Sequence, residues 1–572
     1  MNKANLLKLL CLAAVLEGLA ALLVLMYMPS EAGSARLLGY SYSRLAVAAV
    51  TLVATALFAS AGAWCLRKPG KAEALANRVE TWLLSGDRLF FVQNALLIAF
   101  IFLAGAFLFT WLFILPHLRG LIAWAGLTAL QLYIVLRVRY GTVYRQKDFK
   151  IRYRLLPRLA DLDPRQKHVL LMLSLVGLAY FAAFIPTNLQ GVENQHQFYL
   201  HGGDEYVIYP ILTQILTPDD TFSATLYHLF IYEDYHYGYP FYATSALVLL
   251  PVRLVDGMAF TQQYQLNLLL LRQLISVLPM VLAALVIAWL GTRFRSYWKS
   301  LVLFVLILSI PGVVKYNQNF WHPDALAVLM VALTLYFLDR DRLRFGRNFY
   351  LAALVCGLAS AIRLVGFFFV LAIAGYLLAG WLKKVLTLKQ LALAGLLFVV
   401  VMGATTVLSN PFLFEGSARA RFVEIMQQKN TEMAQGYNEP DPEHIYRTGW
   451  DAWLPFFVKY YGAGWFLVFL VVSAGVAALL SKERLFPAVL LGWAAVMAGY
   501  LVYFVAVKSY QYMLPLFVPL YGSALLLPSV FEAGNRLPER WKSHAVQVAA
   551  WGITLVVCTA QIALDLLHLP GA

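Results

Sequence analysis

Residues 137–168 read RVRYGTVYRQKDFKIRYRLLPRLADLDPRQKH. Ten Lys and Arg stand there against three Asp, with a long apolar run on either side. Basic residues gathered between apolar runs mark the cytoplasmic side of a membrane protein. The segment therefore orients everything before and after it. It also divides the chain into an N-terminal membrane block, 1–136, a basic linker, 137–168, and a larger membrane domain, 169–572. The linker could fold as an amphipathic helix on an anionic lipid surface or stay a plain basic loop.

Composition sets the class. Of 572 residues, 61% are hydrophobic and 13% charged, whereas a soluble domain has about 45–50% apolar and about 25% charged residues. The net charge of +15 sits mostly in short loops between apolar runs. That distribution orients helices and gives no reason to expect nucleic-acid binding. Cys11, Cys65, Cys356 and Cys558 all lie inside apolar runs without CxxC spacing, so they read as packing residues.

An α-helix needs about 20 residues to cross about 30 Å of hydrocarbon. Runs of that kind predict an all-α polytopic membrane protein, a helical bundle with about 15 transmembrane helices. Four fall at 4–28, 45–66, 89–115 and 120–136, the first read as a retained anchor. A fifth falls at 169–187. Ten more follow at 268–291, 300–314, 323–338, 349–363, 364–382, 390–408, 463–480, 485–507, 510–527 and 547–567. Basic loops at 67–88, 292–299, 339–347 and 383–389 then share the inner side with the linker.

The outer side collects the polar residues. Loop 188–267 holds eight carboxylates and four His but one Arg and no Lys. Within it, 241–254 is apolar but short, and reads as an interfacial helix. Three stretches could carry chemistry. His201-Gly-Gly-Asp-Glu-Tyr places Asp204 and Glu205 behind a Gly pair that permits a sharp bend. Glu233-Asp-Tyr-His-Tyr-Gly-Tyr-Pro mixes acids, His236 and Tyr239. Lys315-Tyr-Asn-Gln-Asn-Phe-Trp-His-Pro-Asp opens a helix, with His322 and Asp324 at its head. Arg272 and Arg363 lie within or at the ends of apolar runs, where a charge is costly and marks a site or a pair. Each has a plain counterpart: acids facing water, an aromatic belt of Tyr, an Asp324 cap, a snorkelling Arg272.

The order of these features resembles the GT-C glycosyltransferases, and most closely the bacterial relatives of protein mannosyltransferases and of the lipid A aminoarabinose transferase. Asp204-Glu205, with Tyr206 and Tyr209 behind, matches the acidic pair opening that family's first outer loop. Gly238-Tyr-Pro-Phe-Tyr242 matches its Pro-aromatic segment, and Arg272 the Arg that opens the next span. Pro323-Asp-Ala-Leu326, Gly357-Leu-Ala-Ser-Ala-Ile-Arg363 and Tyr512-Met-Leu-Pro-Leu516 match later motifs. The likeness covers 169–530 and leaves 1–150 without a counterpart. Lys508-Ser-Tyr-Gln stands where the family usually has an Arg-Tyr pair.

That resemblance implies inverting sugar transfer from a polyprenyl-phosphate donor to a hydroxyl of a lipid, glycan or protein acceptor. It implies a multi-pass protein of the bacterial inner membrane with its site on the periplasmic face. Asp204 would be the base, with Glu205 orienting it or the acceptor. Arg363, Lys315, Arg272 and Lys508, in that order, would meet the donor phosphate. Tyr206, Glu233, Asp234, His236, Tyr239, His322 and Asp324 would line the substrate. No cofactor is required. His201, Asp204, Asp234 and His236 nonetheless offer N and O donors that could take a divalent metal. A lipid-linked glycan flippase and a pyrophosphate-linked glycan polymerase or ligase are the rival expectations.

Overall fold

The computed structural model describes residues 3–27, 40–85, 88–112, 116–140, 162–232, 234–436, 446–481, 485–531 and 543–567. The described chain is helical, with no β-strand among those residues. Eleven helices are long and apolar enough to cross a membrane, or up to thirteen if each bent pair is one span. The protein is thus an α-helical multi-pass membrane protein. Three of the fifteen expected spans, 89–115, 323–338 and 349–363, are not among these helices, and the last two fall short for visible reasons. Asp324–Asp341 carries three Asp and an Arg, and Arg347–Arg363 has only 17 residues. Conversely, Tyr239–Gln262, expected as an interfacial helix, is 24 residues long and apolar enough to span.

One expected straight span, 300–314, is bent. Tyr297–Leu308 and Pro311–Asn317 meet at 63°. Pro311 lacks an N–H to continue the helix and pushes the residue before it out of the α region; Ile310 sits at φ −51°, ψ 123°. Lys315 consequently stands on a short helix rather than in a turn. The expected span 463–480 is the single helix Gly464–Leu480, and the helix before it, Trp450–Tyr461, meets it at 91°. The expected basic loop 67–88 is mostly a helix, Pro69–Leu84, with Pro69 at its first turn.

The chain forms two compact units, Met1–Leu155 with Asp219–Tyr227, and Leu156–Pro218 with His228–Ala572. In the first, helices Lys3–Tyr27, Tyr42–Arg67 and Pro116–Tyr140 pack together. Trp124 donates its indole N–H to the Ala14 carbonyl at 2.9 Å, and the Gln131 amide donates to Glu17. The mid-helix Glu17 thus finds a polar partner within its own block.

In the second unit, Asp324–Asp341 is the central helix, flanked by Arg347–Arg363 and Leu278–Thr292. Trp321, Trp453 and Trp493 are wholly buried there. Of loop 188–267 this unit holds the helices Gln195–His201, Asp204–Ile215 and Tyr239–Asp256, while most of Phe222–Phe230 belongs to the first unit. At 1.5 Å per residue, the 18-residue central helix is about 27 Å long. Its two ends serve separate cavities.

Candidate active site

Gly203 stands at φ 49°, ψ −125°, a conformation that only glycine adopts at ease, and the helix Asp204–Ile215 starts immediately after it. Adjacent residues of a helix point about 100° apart, and the two acids have different surroundings. Asp204 is exposed. Glu205 is 1% exposed. Arg272 donates to it twice, Nε to Oε1 at 3.0 Å and Nη2 to Oε2 at 2.5 Å. The Trp321 backbone N–H also donates to Glu205. Nη1 of Arg272 is spent on the carbonyls of Asn188 and Gln190, at 3.0 and 3.1 Å. Burial pushes the Glu205 carboxyl above the usual carboxylate range, and Arg272 and the Trp321 N–H oppose it.

Glu205 and Arg272 were expected to meet acceptor and donor. They meet each other instead, because a buried charge is tolerated only when its partner saturates it. Nor does Arg272 snorkel, since its side chain is buried. The pair staples loop 188–267 to the helix region around Arg272, and so holds the helix start that carries Asp204.

The second acidic centre lies at the head of the central helix. Asp324 makes no capping bond there. Its Oδ1 meets Arg363 Nε at 3.0 Å, and its Oδ2 meets Nδ1 of His322. His322 Nε2 lies 2.6 Å from the Tyr237 hydroxyl. Burial holds the imidazole below its usual range against the pull of Asp324. A neutral ring that donates from Nδ1 to Asp324 leaves Nε2 to accept from Tyr237; the network assigns that tautomer. Phe320 stacks on the imidazole at 4.9 Å. The Arg363 guanidinium packs against the rings of Tyr237 and Tyr512, both at 5.5 Å. Asp204 is near enough to act electrostatically on Tyr237, His322 and Lys429.

Asn410 joins these parts. Its Oδ1 accepts from the Tyr239 N–H at 2.8 Å, and its amide donates to the Thr406 and Ala361 carbonyls at 2.9 and 3.4 Å. The Gly238 N–H reaches the Ile362 carbonyl at 3.3 Å. A Cβ at Gly238 would stand 1.6 Å from the Ala361 oxygen, so only glycine permits that approach. The segment at Gly238–Tyr239 is thereby pinned to the end of the Arg347–Arg363 helix.

Beside the pin lies a cavity of about 340 Å³, lined at its polar end by Arg363, Lys429, Asp324 and His236. Leu364, Phe367, Phe368, Met426 and Met497 line the rest. Leu364 and Phe367 are 43% and 48% exposed, so the apolar rim is open on the outside of the bundle. Lys429 comes from the helix Gly416–Gln435 and makes no hydrogen bond or ion pair among the described residues. Burial, then the nearby charge of Arg363, lowers its pKa from the ordinary lysine value.

The other expected residues fall further from this cavity. Lys315 packs over Tyr510 and Tyr460, at 4.9 and 5.1 Å. Lys508 is bound to the carbonyls of Arg447 and Ala506 at 2.7 and 3.1 Å, which occupies the ammonium expected at the donor phosphate. Tyr206 packs on Phe198 and Tyr199. Tyr239 packs on Tyr232 and Phe230, part of an aromatic cluster with Tyr235, Tyr242 and Phe412.

Asp234 and His236 bond to each other through ring and backbone. Burial alone would raise the Asp234 carboxyl, but His236 and the charge of Lys429 outweigh it and hold the group below the usual range. His201 lines a separate cavity with Glu193, Asn194 and the buried Arg272. Glu233 lies outside the described residues. Among the described residues no three His, Cys, Asp or Glu side chains gather as a metal site would require.

Three residues of the site were not foreseen. Tyr237 was indistinguishable from its neighbours in a Tyr-rich stretch. Asn410, before Pro411, looked like the end of a span. Lys429 was one cation in a long polar loop, and its isolation could have drawn notice. A scan of protein-family models, a search of curated proteins and a search of solved structures each find no match to this chain.

Proposed function

We propose that the protein is an inverting glycosyltransferase of the GT-C kind, taking its sugar from a polyprenyl-phosphate donor on the extracytoplasmic face of a bacterial inner membrane. The observation that carries this reading is a single cavity with Arg363 and Lys429 at its polar end and an exposed apolar rim at Leu364 and Phe367. A phosphate with a long isoprenoid tail needs that combination, cations for the head and a side opening to lipid for the chain.

In the reaction the acceptor hydroxyl oxygen attacks the anomeric carbon while its proton passes to the Asp204 carboxylate. The bond from that carbon to the phosphate oxygen breaks, and polyprenyl phosphate leaves with the electron pair. Arg363 and Lys429 balance the charge that develops on it. Asp324 and the Tyr237–His322 chain hold Arg363 in place, and the acceptor is a lipid, glycan or protein hydroxyl.

Purified protein supplied with a labelled polyprenyl-phosphate sugar and an acceptor extract tests this. Wild-type protein should release polyprenyl phosphate only when acceptor is present. Asp204→Asn should lower transfer by about 10²–10⁴ while binding of polyprenyl phosphate is unchanged. Transfer by Asp204→Asn at near wild-type rate would remove the base, and translocation of the intact donor without bond cleavage would favour a flippase.

A further inference from the structure

A second cavity, of about 670 Å³, lies at the far end of the central helix and has no part in the proposed transfer. Three helices end on it. Leu278–Thr292 is followed by Arg293, Asp324–Asp341 by Arg342, and Val370–Leu382 by Lys383, each at the C-cap position. All three cations line the cavity. The plain reading is that they complement the negative ends of the helix dipoles, each equivalent to about half a charge. That accounts for part of the charge and not for the cavity.

The arrangement is built rather than incidental. Asp341 accepts from the Phe345 and Gly346 N–H groups at 2.9 and 3.0 Å and from the Tyr376 hydroxyl at 2.7 Å. Tyr376 in turn accepts from the Leu343 N–H at 2.8 Å. This network fixes a tight loop in which Arg342, Leu343 and Phe345 all hold left-handed φ between 51° and 60°. Residues other than glycine adopt that conformation only where the surroundings impose it. Arg342 is thus presented at a fixed place. On the adjoining wall Arg293 meets Asp339 at 2.7 Å, which occupies the one carboxylate lining the cavity. Arg342 and Lys383 are exposed and make no ion pair among the described residues. The remaining wall is apolar, with Leu343, Leu382, Leu485 and Ala488. Leu382 is 66% exposed, so that wall continues onto the outside of the bundle.

We propose that this cavity binds a phosphate ester bearing an apolar tail, the headgroup of an anionic membrane lipid. Arg342 and Lys383 take the phosphate, and the acyl chain leaves over Leu382. The positive-inside rule expects this basic end to face the cytoplasm, where anionic lipid is drawn to clustered Lys and Arg. The two cavities stand about 27 Å apart along one helix, so lipid bound here is separate from any donor bound beside Arg363.

The test uses the full chain, stripped of lipid in a neutral detergent and titrated with phosphatidylglycerol, phosphatidylcholine or soluble glycerol phosphate. Bound lipid is counted by native mass spectrometry, and thermal unfolding is read alongside. Phosphatidylglycerol should bind saturably and raise the melting temperature, with phosphatidylcholine and glycerol phosphate far weaker. Substituting Arg342→Gln together with Lys383→Gln should weaken phosphatidylglycerol about thirty-fold. The melting temperature in phosphatidylcholine should not change. Arg342→Lys with Lys383→Arg should restore binding. A double variant that titrates like the wild type overturns the site. Glycerol phosphate that binds as well as the lipid overturns the lipid assignment in favour of a free phosphate.

Discussion

Glu205–Arg272 and Asp324–Arg363 are both carboxylate–guanidinium pairs joining distant parts of the chain, yet the first is saturated by its own partners and the second keeps one side open to a cavity. Both side chains of the first pair are 1% exposed, and every polar atom of Arg272 is occupied by Glu205 or backbone carbonyls. In the second, Arg363 is 17% exposed and lines the cavity, while Asp324 is buried behind it and shared with His322. The difference is one of saturation. A pair that satisfies itself fixes the backbone, and a pair with one open side can take a further anion. Adjacent acids are therefore assigned to different tasks: Glu205 anchors the helix start and Asp204, one residue away, is left exposed.

The largest effect should come from breaking the saturated pair. Glu205→Gln leaves Arg272 charged, buried and half-satisfied, a loss of about 3–5 kcal/mol. Thermal unfolding in detergent should show a protein that folds poorly before any question of activity arises. A variant that unfolds like the wild type but no longer transfers sugar would move Glu205 from anchor to chemistry and undo the comparison.

Breaking the open pair should act on function first. Arg363→Gln should lower the rate of transfer by about 10²–10³, with a smaller fall in unfolding temperature than Glu205→Gln. Arg363→Lys keeps the charge but loses the guanidinium Nε–H that meets Asp324, and should recover only part of that activity. The measurements are initial rate and binding of polyprenyl phosphate. Equal loss of stability in the Glu205 and Arg363 variants would mean that both pairs are structural.

The clamp that brings the open pair to the loop is next in size. Asn410→Ala removes the acceptor of the Tyr239 N–H and two donated bonds from a residue only 4% exposed. Leaving such groups unpaired costs about 1–3 kcal/mol. Binding of polyprenyl phosphate should weaken because Gly238 no longer sits against the Ala361 carbonyl. Should binding and unfolding temperature both stay at wild-type values, the loop is not held by Asn410.

Much of this was legible in the sequence, for reasons tied to particular residues. The membrane class followed from apolar run length, and the bend at Gly203 from the Gly pair. Arg363 stood out because a charge at the end of an apolar run must find a partner, and Asp324 because it heads a helix. Their pairing with each other was not readable, since the Arg347–Arg363 helix runs back along the central helix and periodicity carries no register between helices. The same limit hid Glu205–Arg272: both looked like substrate contacts until their separate saturation was visible. Lys508 misled for a related reason, because a cation near a helix start can as well bind backbone carbonyls as a ligand. The break at Pro311 was written in the sequence, but its consequence for Lys315, which packs on Tyr460 and Tyr510, needed three dimensions.

Lys429 shares the open cavity with Arg363, and its charge can be titrated. Burial and the neighbouring guanidinium set its folded pKa below the ordinary lysine value of about 10.4. The unfolded chain therefore binds this proton more tightly, and through this group stability rises as pH climbs from the lowered value towards the ordinary one. Affinity for a lipid phosphate should move the other way, since the ammonium that meets the anion is lost over the same window. At a partly solvated site one such charge contributes on the order of 1 kcal/mol, so the fall in affinity is about five-fold. Lys429→Gln should flatten both trends while leaving Arg363-dependent binding in place. Binding of polyprenyl phosphate that still weakens equally with pH in Lys429→Gln would assign the titration to another group, and the cavity would then rest on Arg363 alone.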